Sequence, residues 1–450
     1  MVSSLRILHV NTLDRGGGAA QLASNLVAAT NAAGQKAGLA VGTMHSPGEH
    51  VFEIENGAAR HLWARFSTRV VGRLGGGKRL ARAFGRPWSS ARVLIGHEDF
   101  DFPGAWHLLD NLLEKPDLLH LHNLHGSYFD LRALPWLSQQ IPTVVTLHDA
   151  WMVSGHCAHS FDCERWRTGC GHCPDLTIYP AIWRDATAYN WRRKQRIYAQ
   201  SRLHVVAPSQ WLMKKAKDSM LAPAMVSARV IPHGIDLSVF RTGDRAQARI
   251  DLGLPQDAAV LLFASKGIRN NIAKDYPTMR QAFEILSRRC RQKKLLFIAL
   301  GEEGPSERIG DGELRFVGHS NDRLAVAKFY QAADLYVHGA KTEVWGLSIT
   351  EAMACGLPVV ASAVGGIPDQ VADGQSGFLI PVGDAEGMAE RIEQLLVNRA
   401  VREEMGRSAC WRAHAEFGLT RMADNYLSYY ESILAQEANF ATTAPAELQA

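Results

Sequence analysis

The chain has 450 residues, 46% hydrophobic and 21% charged, which excludes disorder, collagen-like repeats and coiled coil as its main state. Its net charge of +4 is too small to make the whole molecule a nucleic-acid binder. No apolar run approaches the ~18 residues of a membrane span, the N-terminus lacks a secretory pattern, and a cytoplasmic protein of two or three domains is expected.

In chain order, Leu5–Val10 is predicted as a short strand, Gly16-Gly17-Gly18 as a tight turn and Ala19–Ala33 as a helix ended by Gly34. Between Asn56 and His97 there is no Asp or Glu, while Arg60, Arg65, Arg69, Arg73, Lys78, Arg79, Arg82, Arg86 and Arg92 supply positive charge. Arg65, Arg69 and Arg73 recur at helical spacing beside an apolar stripe of Leu62, Phe66, Val70 and Leu74, with Trp63 next to it, until Gly75–Gly77. This segment, 60–92, reads as a basic amphipathic surface for an anionic membrane; packing on the N-terminal sheet and gripping an anionic polysaccharide are the alternatives.

Asp117–His122, Thr143–His148 and Leu203–Ala207 follow as predicted strands. The alternation restarts after about residue 240. Strands are predicted at Ala259–Ala264, Lys294–Ala299, Leu314–Val317, Asp334–Val337 and Leu357–Ala361, with helices near Tyr276–Arg289, Arg323–Ala332, Ser348–Ala354 and Ala385–Leu396. Such nearly continuous apolar strands belong to an α/β fold with helices on both sheet faces. The expected organisation is an N-terminal domain over 1–240 with a Cys-rich loop at 156–174, and a second domain over 241–419. A helix at 420–436 returning to the first domain and a tail at 437–450 complete it. Ligands of open α/β sheets bind at the carboxyl ends of the strands, so functional residues should follow these strands.

The densest motif runs from Gly339 to Ser362. Glu343 precedes a helix starting near Leu347, Glu351 lies within it, and Gly356 ends it. Gly346, Leu347 and Ser348 then present unpaired N–H groups at a helix N-terminus, an anion site flanked by two carboxylates.

This motif, Glu-x7-Glu followed by Ala-Met-Ala-Cys-Gly-Leu-Pro-Val-Val-Ala-Ser, resembles the donor-site signature of retaining glycosyltransferases of family 4. Val206-Ala-Pro-Ser-Gln-Trp211, Val230-Ile-Pro-His-Gly-Ile-Asp236, Phe316-Val-Gly318, Gly365-Gly-Ile-Pro368 and Asp373-Gly-Gln-Ser-Gly-Phe-Leu379 occur in that family's order. The resemblance implies a GT-B fold, two Rossmann-like doubly wound domains facing a cleft. It implies transfer of a sugar from a UDP- or GDP-sugar to a saccharide or polyprenyl-linked acceptor, with no cofactor required for catalysis and no nucleic acid as partner. By position, Glu343 serves the transferred sugar, Glu351 the ribose and Lys274 the diphosphate. Lys266 or Arg269 stands in for the family's arginine. His148 contacts the donor sugar as a second catalytic residue. Gly17 and Gly18 let a phosphate or the acceptor approach. His120, His122 and His125 are expected to line a pocket rather than hold a metal, with His122 and Asn123 near the acceptor.

Cys157, Cys163, Cys170 and Cys173 concentrate in one loop. They suit a structural Zn²⁺ site, with His156, His159 or His172 able to replace one ligand; free thiols and labile disulfides are the other readings. Together with Asp149–Cys157 the cluster resembles exopolysaccharide enzymes of family 4, the colanic-acid type included. That points to surface-glycan synthesis on the inner face of the cytoplasmic membrane. A nucleotide-sugar epimerase, a phosphorylase and a non-catalytic sugar-binding protein are the alternative functions.

Overall fold

A computed structural model of the chain describes residues 4–57, 63, 66, 85–110, 112 and 114–443. The chain divides into two compact units. One holds residues up to Pro208, Leu212–Ile231 and the chain from Ala423; the other holds Ser209–Trp211 and Pro232–Met422.

The first unit is built on seven strands: β1 (Arg6–Leu13), β2 (Lys36–Thr43), β3 (Val51–Glu53), β4 (Leu118–Leu121), β5 (Thr143–Thr146), β6 (Leu203–Ala207) and β7 (Met225–Val230). They lie in the order β3-β2-β1-β4-β5-β6-β7, and every pairing is parallel. β4, β5 and β6 are buried along their whole length, as strands covered by helices on both faces are, His120, Thr143, Thr146 and His204 included. β7 at the edge alternates between half-buried and exposed residues.

The second unit repeats the plan with β8 (Ala259–Ala264), β9 (Leu295–Leu300), β10 (Glu307–Ile309), β11 (Gly312–Val317), β12 (Leu335–His338), β13 (Val359–Ser362) and β14 (Gly377–Ile380). Their order is β10-β11-β9-β8-β12-β13-β14, parallel apart from the edge strand β10. In both sheets the chain starts in the middle, walks to one side, then returns and walks to the other. The reversal falls between β1 and β4 in one and between β8 and β12 in the other, and such switch points are where doubly wound sheets bind ligands.

The helix Leu419–Thr443 carries the chain on from the second unit, and its residues from Ala423 group with the first. Three tyrosines on one helical face meet the first sheet. The Tyr430 hydroxyl is 2.6 Å from His120 Nδ1, Tyr426 is 2.9 Å from Thr146 Oγ1, and Tyr429 is 2.6 Å from Ser227 Oγ. These boundaries differ from the expected ones: the first unit is left after Ile231 rather than 240, and the last helix runs to Thr443 rather than 436.

Most of the basic segment, including Arg60, Arg65, Arg69, Arg73, Lys78, Arg79, Arg82, Leu62, Val70 and Leu74, lies outside the described residues. Arg86 is described and is not a surface charge. It is buried, with Nη2 donating to Asp99 Oδ1 at 2.8 Å and Nε to Asp101 Oδ2 at 2.6 Å. Among the described residues no helix is long and apolar enough to cross a membrane.

Candidate functional site

In the second unit the residues expected at the donor gather at the switch point. Lys266 follows β8 and is exposed. Lys274 lies further along the same connection, and its Nζ donates to Glu343 Oε2 in the loop after β12. His338, the last residue of β12, places Nε2 3.4 Å from the same oxygen. Burial alone would push the Glu343 carboxyl up, but the Lys274 charge and His338 hold it well below the usual carboxylate range. Burial pushes His338 below the ordinary imidazole value, so it stands neutral beside that carboxylate. Arg269 is committed elsewhere: its guanidinium pairs with Glu302 and lies 4.6 Å over the Phe316 ring. Of the two candidates for the family's arginine, Lys266 is the one not held in an ion pair among the described residues.

The backbone of this loop is clamped by Gly365 and Gly366. Gly366 N–H donates to the Glu343 carbonyl at 2.9 Å. Gly365 has φ +59, and a Cβ there would fall onto the Glu343 carbonyl oxygen. Gly346 caps the helix Leu347–Ala354, and the Gln370 side chain bonds both its N–H and its C=O, each at 2.9 Å. The first-turn N–H groups of Leu347 and Ser348 have no intrahelical acceptor, as at any helix start. Glu351, one turn in, accepts from the Tyr330 hydroxyl at 2.9 Å. Burial pushes its carboxyl up to about 7, against the weaker pull of Tyr330 and Arg323. The two glutamates of one motif are thus driven in opposite directions.

In the first unit Gly16 and Gly17 adopt φ +92 and +131 after β1, and Gly17 caps the helix that begins at Gly18. A Cβ on either would meet nothing within 4 Å. The backbone here is open to a ligand, and the glycines are required by conformation rather than crowding.

His148, beyond β5, is the end of a row of imidazoles. Its Nε2 lies 3.0 Å from His122 Nδ1, and His122 Nε2 lies 3.1 Å from His9 Nδ1 on β1. Burial pushes His148 down to about 4 and His9 down to about 3, so both are neutral at physiological pH. His9, His120 and His122 bring three ring nitrogens within 4.8 Å of one another, a metal-like spacing. Both nitrogens of His120 are engaged, however, by Tyr430 and by Thr146 Oγ1 at 2.7 Å.

The expected pocket positions therefore shift. His120 and His122 are buried in the sheet rather than lining a pocket. Asn123 uses its carbonyl to accept from Tyr128 Oη at 2.6 Å. The next residues, Leu124 to Ser127, do line a cavity of about 480 Å³, together with Glu98, Phe100, Trp151 and Trp183. His125 stands in its wall with Nε2 2.7 Å from Asp149 Oδ2. Sequence reasoning missed His338 and the depth of this wall; the signal for His338 was its position closing a strand five residues before Glu343.

Two parallel sheets that both reverse at their centre, with a lysine–glutamate pair and a helix N-terminus at one reversal, define the GT-B class of glycosyltransferase folds. Solved structures bear this out. Sucrose-phosphate synthase from Thermosynechococcus elongatus matches with TM-score 0.62 and 19% identity over 96% of this chain and 100% of that one. Anabaena HepE in complex with UDP matches with TM-score 0.62 and 17% identity over 95% and 100%. The model described as "Glycosyltransferase Family 4" matches residues 16–239 and that described as "Glycosyl transferases group 1" matches residues 244–410. The chain belongs to this glycosyltransferase family. A D-inositol 3-phosphate glycosyltransferase from Saccharomonospora viridis is 35% identical over 225 residues, 46% of this chain and 51% of that protein. The chain spans about half the length of the curated relatives it matches.

Proposed function

We propose that the chain transfers a glycosyl group from a nucleotide sugar to a hydroxyl acceptor with retention of configuration. The observation that carries this reading is the Lys274–Glu343–His338 group at the switch point of the second sheet, followed three residues later by the helix N-terminus at Gly346. Lys274 and the Leu347 and Ser348 N–H groups supply positive potential for the diphosphate. Glu343, held ionised, fixes the sugar hydroxyls, and Glu351 takes the ribose. Departure of the diphosphate creates negative charge, so preorganised donors at that point favour the transition state over the ground state. The leaving oxygen accepts the proton of the incoming hydroxyl on the same face, and the protein acts by positioning. A UDP-sugar is the preferred donor, because the similar HepE was solved with UDP.

The acceptor belongs in the 480 Å³ cavity of the first unit. Its described lining has the aromatic rings of Phe100, Phe129, Trp151 and Trp183, the carboxylates of Glu98 and Asp99, and no Lys or Arg. Glu98 and Asp99 are paired with Lys194 and Arg86, so it is the aromatic faces that favour a saccharide. The absence of a lysine or arginine in the described lining gives the phosphate of an inositol 3-phosphate, named in the relatives, no direct cationic partner. The proposed acceptor is a saccharide, free or polyprenyl-linked, in surface-glycan or exopolysaccharide synthesis, a reading supported by the sequence resemblance of the Asp149–Cys173 segment.

The test is nucleotide release from a panel of UDP- and GDP-sugars, with neutral oligosaccharides and with inositol 3-phosphate as acceptors. Release with a neutral saccharide, and an NMR-determined product anomer matching the donor, is expected. Interconversion of the sugar without transfer would establish an epimerase, and binding without turnover a sugar-binding protein. Release with inositol 3-phosphate alone would overturn the acceptor assignment.

A further inference from the structure

We propose that Cys157, Cys163, Cys170 and Cys173 bind one Zn²⁺ as a tetrathiolate and that this ion braces the wall of the 480 Å³ cavity. All four thiols are free, and all four line one small cavity of about 20 Å³, closed on its other sides by Ser154, Gly155 and Trp166. That space admits the centre of a single ion. The four sulfurs stand further apart than ligands of one ion would. Among the described residues the only trio of metal-type ligand atoms within 4.8 Å of one another is His9, His120 and His122. Binding requires the sulfurs to draw together around the cavity that all four line.

The surroundings are those of a buried dianion. Binding forms four Zn–S bonds, breaks four S–H bonds and releases four protons to water, leaving a centre of charge −2. Two buried lysines face the cluster. Lys194 is fully buried, its Nζ donating to Glu98 Oε1 at 3.0 Å and to the Trp151 and Ser154 carbonyls at 3.0 and 3.1 Å. Its charge acts on Cys157 and Cys170, while that of Lys215 acts on Cys157 and Cys163. Glu98 offsets the charge of Lys194, Glu164 acts on Lys215, and Lys215 also donates to Ser160 Oγ; beside bound thiolates the two ammonium groups would in addition offset the −2 charge of the centre. Gly155 N–H already donates to Cys170 Sγ at 3.3 Å, the kind of bond that stabilises a metal-bound thiolate. Gly169, Cys170, Gly171 and His172 take four successive positive φ values of 133, 54, 89 and 48, a turn that sets Cys170 and Cys173 on one cavity.

The loop reaches the cavity wall directly. Ala158 N–H donates to the Tyr179 carbonyl at 2.7 Å and His156 Nδ1 to the Pro180 carbonyl at 3.1 Å. His156 Nε2 points back to Cys173 Sγ at 3.4 Å. Pro180, Ala181, Ile182 and Trp183 then line the larger cavity. Metal at the thiols would fix that strip through these two hydrogen bonds, one from the backbone of Ala158 and one from the His156 ring.

The test is elemental analysis of full-length protein purified without added metal, with Co²⁺ added to chelator-stripped protein as a spectroscopic probe. One zinc per chain is expected, with intense tetrahedral thiolate d–d absorption from Co²⁺. Replacing any one of the four cysteines by Ser should lose stoichiometric metal, whereas Cys290→Ser should keep it. Chelation should also increase proteolysis within 156–183 before the rest of the chain unfolds. The Co²⁺ spectrum is read on the wild-type chain, so it decides the matter even if a Ser variant does not fold. Zinc near zero with four freely titrating thiols, or a pale octahedral Co²⁺ spectrum, would overturn the proposal.

Discussion

Replacing Glu351 by Gln should make the second unit's stability less sensitive to pH, and the size of the effect follows from burial. The Glu351 carboxyl has an ordinary value of 4.5 and is pushed up to about 7 in the fold. The folded state therefore binds a proton that the unfolded chain has released between those values. Stability is fully present below pH 4.5 and is lost as pH rises towards 7, because an ion must then be created in a buried site. The whole difference is about 3 kcal/mol, of which about 2–3 kcal/mol falls between pH 5 and pH 8. Gln keeps an acceptor for the Tyr330 hydroxyl, now 2.9 Å from Oε2, and carries no titrating proton. For a body of about 150–250 residues each kcal/mol moves Tm by roughly 2–4 °C. Calorimetry at pH 5 and pH 8 should thus show the variant gaining roughly 4–12 °C on the wild type between the two pH values. A Tm offset that is the same at both, or larger at pH 5, would refute the assignment of a buried, neutralised Glu351.

The other tests address the same loop and the first unit's cavity. Lys274→Met leaves Glu343 ionised without its cation and should cost about 3–5 kcal/mol in urea unfolding, much of it recovered in the Lys274→Met/Glu343→Gln double variant. Additive losses would contradict a direct pair. Glu343→Gln should lower kcat by orders of magnitude in the nucleotide-release assay with circular dichroism unchanged. Near-wild-type turnover would remove Glu343 from the site. Gly365→Ala drives a methyl group into the Glu343 backbone, and a roughly hundredfold fall in kcat/KM is expected; unchanged kinetics would show the clamp to be dispensable. His125→Ala should raise the acceptor KM several-fold and leave the donor KM alone, whereas an equal rise in both would place His125 outside acceptor binding.

The strands legible in the sequence were those dominated by apolar and β-branched residues. β8, buried from its second residue on, and β4 and β5, buried throughout, are examples, because helices cover both their faces. β2, reading Lys-Ala-Gly-Leu-Ala-Val-Gly-Thr, escaped notice: its two glycines mimic a loop, and pairing with β1 supplies the order that propensity does not. β7 escaped for the opposite reason, since an edge strand needs few apolar residues. At the site, spacing and family resemblance located Glu343, Glu351 and Lys274, but not the direct bond between Lys274 and Glu343, 69 residues apart. Nor could spacing show that Arg269 is occupied by Glu302, or that His120 is held by a tyrosine 310 residues later. Such pairings are set by how the chain crosses itself, which local pattern does not encode.

The tyrosine row of the last helix has a consequence for how this chain is made. On the ribosome, residues 4–231 emerge first with His120 and Thr146 destined for the interior, yet Tyr426 and Tyr430, which bond them, are translated only after the entire second unit. The first unit therefore waits, lacking one outer layer, while its neighbour is synthesised and folds. A fragment ending at Ile231 would inherit that unfinished state permanently, with buried polar groups left bare. A self-standing version has to graft residues 423–443 back on through a linker, and chaperone demand during translation should fall on the segment that comes out first.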